Sequence, residues 1–291
     1  MNNIQFEKYI NLMIRSPLRY PGGKSRAVEK IGALIPDFNE FREPFVGGGS
    51  VFINLRQKIP GKKFWINDKY THLATFWKVL QNDSEKLLEQ IWNWKREFSG
   101  GKELFYFLRE KIKNFNEIET AAAFFVFNRI TFSGTTEAGG FSLQAFEKRF
   151  TDSSIERLKA MPQVLQNVKI TNSDYENVIN AEGKNVFLFL DPPYFSATNS
   201  ALYGKNGNLH KAFDHERFAS AVKNCRHKWL LTYDDSPFIR ELFSFAEITN
   251  WNLTYGMRNV TANSNQKGNE LFISNYELNF AEEKQIEFSF V

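Results

Sequence analysis

Apolar residues along this chain fall into two patterns. Short, nearly continuous apolar runs, each closed by an acid or a turn residue, predict strands buried on both faces, as in a parallel sheet. Such runs end near Val46, at the acid Asp68, at the acid Asp174, at Leu190 and at Tyr233. Between the second and third, from Leu73 to Leu165, apolar residues recur at helical spacing, with clear stretches at 86–98, 103–115 and 118–127. A strand–helix–strand unit does not need so long a connection, so most of this segment is expected to be an inserted helical subdomain. Residues 246–255 and 269–276 predict a closing antiparallel pair around a polar loop near Asn263 and Lys267, and the tail to Val291 alternates as an edge strand does.

The run 186–190 passes directly into Asp191-Pro192-Pro193-Tyr194. In an open α/β sheet, residues just past a strand's carboxyl end face the ligand crevice. The two prolines lack an N–H and have a fixed φ, so they end the pairing and stiffen the exit. Their carbonyls, that of Pro192 above all, still accept hydrogen bonds. A carboxylate, a rigid carbonyl and a flat ring are thus presented together. That set suits a planar, conjugated amine such as adenine N6, whose lone pair is delocalised into the ring. Acceptance of its two N–H protons by Asp191 and the Pro192 carbonyl favours the pyramidal amine, and Tyr194 can stack on a base held out of the helix. Asp191, Pro192, Pro193 and Tyr194 are the expected catalytic set. In isolation, a strand end closed by a proline turn accounts for them equally well.

Two glycine turns precede this stretch. Tyr20-Pro-Gly-Gly-Lys24-Ser25 resembles a phosphate loop only in its tail, because Leu18 stands where that loop needs glycine. What remains is a tight turn that sets Tyr20 and Lys24 at the mouth of a helix over 26–34, a seat for a carboxylate. Glu43-Pro-Phe45-Val-Gly47-Gly-Gly49-Ser50 predicts a strand, a glycine turn and a helix start, which lets the backbone approach a ligand. Asp68, about twenty residues on, can hold ribose hydroxyls. Asp174 ends the next strand. Inside the helical segment, Asn128-Arg129 opens a polar, glycine-rich loop carrying Phe132, Ser133 and Thr135, with Lys148 and Arg149 close behind. Arg129, Ser133, Thr135, Lys148 and Arg149 make a mixture that suits contacts to phosphates and base edges.

Composition narrows the class without deciding it. A chain of 291 residues can bury one substantial α/β core with room for a subdomain. The formal charge of +4 permits a nucleic-acid partner. No apolar run approaches the roughly 18 residues of a membrane span, and the amino terminus lacks the apolar core of a signal peptide. The single cysteine, Cys225, rules out an internal disulfide and a cysteine metal cluster, and fits a reducing cytoplasm. His210 and His215 lack a third ligand, so no metal is expected. Of 30 phenylalanines, most must be core.

In order, Tyr20–Lys24, Glu43–Ser50, Asn67-Asp68, Ser173-Asp174-Tyr175, Asp191–Tyr194 and Asn269-Glu270-Leu271 resemble the motifs of the Dam-like (D12) DNA adenine-N6 methyltransferases. The resemblance spans residues 15–278. It implies a Rossmann-like, seven-stranded S-adenosylmethionine-dependent methyltransferase sheet with an inserted helical target-recognition subdomain. The implied division is 15–72 with 166–278 as catalytic domain, 73–165 as recognition insertion and 279–291 as tail. By position, Tyr20, Lys24, Phe45, Gly47, Gly49, Asp68, Asp174 and Asp191 match cofactor contacts, and Asp191, Pro192, Pro193 and Tyr194 match the catalytic set. The implied substrate is double-stranded DNA, acted on by a monomer in a bacterial or phage-infected cytoplasm. The loop at 130–136 departs from members that read GATC, so no target sequence follows. An RNA base amino-methyltransferase and an inactive DNA-binding relative are the rival readings. The Tyr20–Lys24 segment and the long insertion argue against the first, and the full set of chemical residues against the second.

Overall fold

The structure is a computed structural model that describes residues 13–20, 22–136, 139–195, 213–253 and 268–280. His210, the polar loop near Asn263 and the tail after Phe280 lie outside these residues.

Seven strands form one sheet: β1 (Glu40–Glu43), β2 (Lys63–Asn67), β3 (Lys169–Thr171), β4 (Val186–Leu190), β5 (Lys228–Asp234), β6 (Glu247–Leu253) and β7 (Gly268–Ser274). Their spatial order is β3-β2-β1-β4-β5-β7-β6. The first five are parallel, while β7 runs antiparallel to β5 and to β6. The order reverses between β1 and β4, which makes that edge the expected ligand crevice. All five residues of β4 are buried, as its unbroken apolar run predicts. Strand β1 stops at Glu43, three residues before the apolar run ends, because Pro44 has no N–H to continue the ladder.

Helices α1 (Val28–Leu34) and α2 (Ser50–Lys58) flank β1, and the insertion contributes α3 (Thr71–Asn82), α4 (Ser84–Glu97), α5 (Gly101–Lys111) and α6 (Glu117–Ile130). Shorter helices α7 (Leu143–Arg149), α8 (Asp152–Glu156) and α9 (Met161–Leu165) lead back to the sheet. Helix α6 starts with a capping box between Asn116 and Glu119, and every residue from Ala121 to Ile130 is buried. Its alanines and phenylalanines surround the axis, so it is a core helix rather than an amphipathic one. One hydrophobic cluster runs unbroken from Phe41, Phe64 and Phe187 in the sheet to Phe76, Phe124 and Phe127 in these helices. A second, on the other face, joins β4, β5 and β7 to α10 (Glu176–Ile179), α11 (His215–Lys223) and α12 (Pro237–Leu242). Cys225 packs against this second cluster.

Candidate active site

The crevice is built from strand ends. After β1, Gly47 and Gly49 adopt positive φ of 45° and 66°, which turns the chain sharply into α2. A Cβ on Gly47 would lie 2.7 Å from the Tyr20 ring, so the glycine is what lets that ring lie against the turn. Trp77 of α3 donates its indole N–H to the Gly47 carbonyl at 3.2 Å. Asp68, just past β2, accepts from the Gly47 N–H at 3.1 Å and from the Tyr70 N–H at 2.9 Å. Burial outweighs these bonds and lifts its carboxyl to about 6. Phe45 packs against Tyr175 and Phe218. Asp174, past β3, meets Lys69 at 3.2 Å and Arg217 at 3.1 Å. Burial raises its carboxyl, but the Glu176 N–H, Lys69 and Arg217 together hold it below the ordinary value. The side chain of Asn67 ties the three strand ends together: it donates to the Pro44 and Ser173 carbonyls and accepts from Thr171 and the Ser173 N–H.

Past β4, Asp191 is held by two partners. Lys24, only 3% exposed, places its ammonium 2.7 and 3.0 Å from the two carboxylate oxygens and also donates to the Gly22 carbonyl. Thr232 of β5 donates to Oδ1 at 2.7 Å. The seat for a carboxylate expected at the Tyr20–Lys24 turn is therefore filled by the chain's own Asp191. Lys24 is buried while the Asp191 side chain keeps 20% of its surface exposed, so it is loss of Asp191 that would strand a buried charge, at a cost of about 3–5 kcal/mol. The ammonium also lies 4.9 Å from the centre of the Tyr194 ring. Tyr194 stacks on Tyr233 at 5.8 Å. Burial, then Asp191 and Glu270, push its phenol well above the ordinary range, so it stays a protonated donor.

Sequence reasoning did not single out four residues that shape this site. Thr232 orients Asp191. Glu43, buried at the end of β1, accepts from the Phe52 N–H at 3.0 Å, and burial followed by the charge of Asp191 drives its carboxyl well upward. Glu270 on β7 is 3% exposed and shares the environment of Lys24, Asp191 and Tyr194. Asn128, fully buried at the end of α6, accepts from the Arg19 N–H and donates to the Arg19 carbonyl at 2.7 Å, clamping the Tyr20–Lys24 segment to the insertion. Only Glu43, Glu270 and Asn128 lay inside motifs visible in the sequence, and none carried a role there.

The expected DNA contacts separate. Lys148 and Arg149, in the last turn of α7, are exposed, and Ser133 is half-buried. Thr135 is 8% exposed and donates its hydroxyl to the Phe132 carbonyl. Arg129 is 4% exposed, lies over the Phe125 ring and has no ion pair among the described residues. Burial, then the charges of Arg157, Arg19 and Arg149, hold its guanidinium down to about 9. Phe132 is 66% exposed, on a loop where Ser133, Gly134 and Thr136 all have positive φ.

A sheet with this order, a glycine turn after β1, an acid after β2 and a carboxylate–proline exit after β4 define a methyltransferase-type α/β protein. The model of the D12 class N6 adenine-specific DNA methyltransferases matches residues 20–257, and the chain belongs to that family. It is 28% identical to the Type II methyltransferase M1.LlaDCHI of Lactococcus lactis subsp. cremoris over 95% of this chain and 99% of that one. It is 31% identical to the Type II methyltransferase M.MjaIII of Methanocaldococcus jannaschii over 61% of this chain and 68% of that one. A DNA adenine methylase of Vibrio cholerae matches at 24% identity over 86% of this chain and 91% of its own. The protein is thus an adenine-specific DNA methyltransferase. Among the described residues no helix is long and apolar enough to cross a membrane, and no group of three metal-binding side chains converges.

Proposed function

We propose that this enzyme methylates the exocyclic N6 of an adenine turned out of duplex DNA, with S-adenosylmethionine as donor and with direct transfer that involves no covalent protein intermediate. The observation that carries the reading is Asp191: a carboxylate at the switch point, held from behind by Lys24 and Thr232, beside a stacked tyrosine ring. Asp191 and the Pro192 carbonyl accept the two amine protons, and Tyr194 with Tyr233 supplies a stacking surface for the base. S-adenosylmethionine supplies an electrophilic methyl group on a sulfonium. The side chains on the β1–β3 half suit that donor: Asp68 retains lone pairs for ribose hydroxyls, Phe45 and Tyr175 offer apolar faces for a purine, and Asp174 adds an acceptor.

Burial of Arg129 among three other arginines, with no carboxylate among its described ion-pair partners, supports a role toward a backbone phosphate rather than a base edge. Lys148 and Arg149 extend that positive surface, Ser133 and Thr135 line the loop, and the exposed Phe132 ring offers a stacking face beside it. We assign residues 73–165 to target recognition, 15–72 with 166–278 to catalysis, and place the enzyme in the cytoplasm with its DNA as a monomer. Incubation of the chain with duplex DNA and trideuteromethyl S-adenosylmethionine, followed by mass spectrometry of the nucleosides, tests the reaction. Label in N6-methyl-2′-deoxyadenosine alone is expected; label in a methylated deoxycytidine, or nowhere, would contradict it.

A further inference from the structure

The sheet edge divides at the switch between β1 and β4. On one side lie Gly47, Asp68 and Asp174, whose polar atoms meet backbone N–H groups and cations. On the other side, the ends of β4 and β5 and the start of β7 bring together Asp191, Tyr194, Asp234 and Glu270. Glu270 stands in register with Asp234 of β5 and with Trp251 of β6. It is 3% exposed, yet neither of its carboxyl oxygens has a hydrogen-bond partner. The Tyr194 hydroxyl is likewise buried and unpartnered. It lies beside Glu270 and Thr232, near enough for them to bias its protonation, but meets the geometry of a hydrogen bond with neither. Folds rarely retain a buried carboxyl in this condition without a use.

The groups around Glu270 restrict what that use is. Facing it are Lys24 from the turn before α1, Asp191 and Tyr194 from the exit of β4, and Asp234 from β5. Lys24 is already committed to Asp191 and the Gly22 carbonyl. An adenine whose two amine protons go to Asp191 and the Pro192 carbonyl still presents acceptors on either side of that amine, at N1 and N7. An ionised aspartate cannot serve them. A neutral carboxylic acid can, through its single O–H.

Resting on the reading of this site as an adenine-N6 pocket, we infer that Glu270 is a further substrate contact, whose carboxyl, as the neutral acid, donates a hydrogen bond to a ring nitrogen beside the amine of the target adenine. Burial first, opposed by Lys24 and reinforced by Asp191, lifts the Glu270 carboxyl to about 7, so the acid form is available at and below neutrality. As pH rises through that value the O–H is lost and the contact with it. An ordinary glutamate would already have lost its proton near pH 4.

Duplexes carrying adenine, 1-deazaadenine or 7-deazaadenine at the target position distinguish the atoms. Dissociation constants and single-turnover rates are measured for the wild-type chain, Glu270→Gln and Glu270→Leu. The wild type is expected to lose about ten- to a hundredfold with one of the two analogues, the range for a buried partner left unpaired. Glu270→Leu should already show that loss with adenine and gain no further penalty from the same analogue. Glu270→Gln keeps an N–H donor, so it should remain sensitive to the analogue while losing the fall in rate above pH 7. Equal handling of all three bases by the wild type would overturn the contact, and that series decides the matter even where a variant fails to fold. An equal analogue penalty in wild type and Glu270→Leu would overturn it as well. Absence of methyl transfer to unmodified adenine would instead remove the pocket reading on which the contact rests.

Discussion

The two halves of the strand-end crevice differ in how finished they are. On the β1–β3 half, Asp68 and Asp174 are held by backbone N–H groups, a lysine and an arginine, and the glycine turn is packed on Tyr20 and Trp77. On the β4–β5–β7 half, Asp191 is held by Lys24 and Thr232, but the Tyr194 hydroxyl and both oxygens of Glu270 are buried without a hydrogen-bond partner among the described residues. The carboxylates of the first half are positioned by the chain's own contacts, although the Tyr175 hydroxyl there is also unpartnered, whereas the Glu270 carboxyl of the second has no such partner among the described residues. Unmet buried polar groups are costly, so on the proposed reading the Glu270 carboxyl and the Tyr194 hydroxyl mark their half as the substrate face.

Substitutions sharpen this contrast, beginning with the largest effect. Asp191→Ala is expected to lower the single-turnover rate by on the order of a thousandfold or more while DNA affinity changes little. Because it also strands the buried Lys24, its melting temperature should be recorded beside Asp191→Asn, which keeps the shape and one acceptor oxygen. Gly47→Ala tests the finished half. Its Cβ would meet the Tyr20 ring at 2.7 Å at a φ of 45°, so donor affinity should fall about tenfold or more by calorimetry, with the DNA dissociation constant unchanged. A variant that binds the donor normally would show that the turn has no part in its seat.

Arg129→Ala is expected to weaken binding alike on target and non-target duplexes and to reduce the slope of log affinity against log salt by about 1. Loss confined to target sites would make Arg129 a reader of bases instead. The smallest effect concerns pH. The Asp68 carboxyl titrates at about 6 in the fold, so it is protonated below that value and ionised above it. Donor affinity should therefore weaken severalfold as pH falls through about 6, and Asp68→Asn should flatten that dependence. A wild-type profile already flat across pH 5–7 would count against the ribose-binding role.

Much of this architecture is legible in the sequence because strand ends carry their own punctuation. The apolar run 186–190 stops at an acid and two prolines, and the structure gives a buried strand over those same residues. The glycine turn, Asp68 and Asp174 are local features and are found where their spacing puts them. What depends on register between distant segments is not legible. Thr232 reaches Asp191 only because β4 and β5 are neighbours, and Glu270 reaches the site only because β7 inserts between β5 and β6. Arg129 was visible as a residue but not as a buried one. The signal was present, since Ala121 to Phe127 is apolar on every side of the helix and a core helix buries its last turn as well. The Lys24–Asp191 pair was missed for a different reason: a lysine at a helix mouth reads as waiting for a ligand, and sequence offers no measure of whether the chain supplies one itself.

The most direct test of the amine-activation role is the single-turnover rate of methyl transfer to target adenine, with DNA and donor both saturating, for wild type, Asp191→Asn and Asp191→Ala. The account predicts that both variants bind DNA with near wild-type affinity and transfer methyl at least about a hundredfold more slowly, with Asp191→Ala the slower. Either variant at near wild-type rate, folded and saturated, would contradict it.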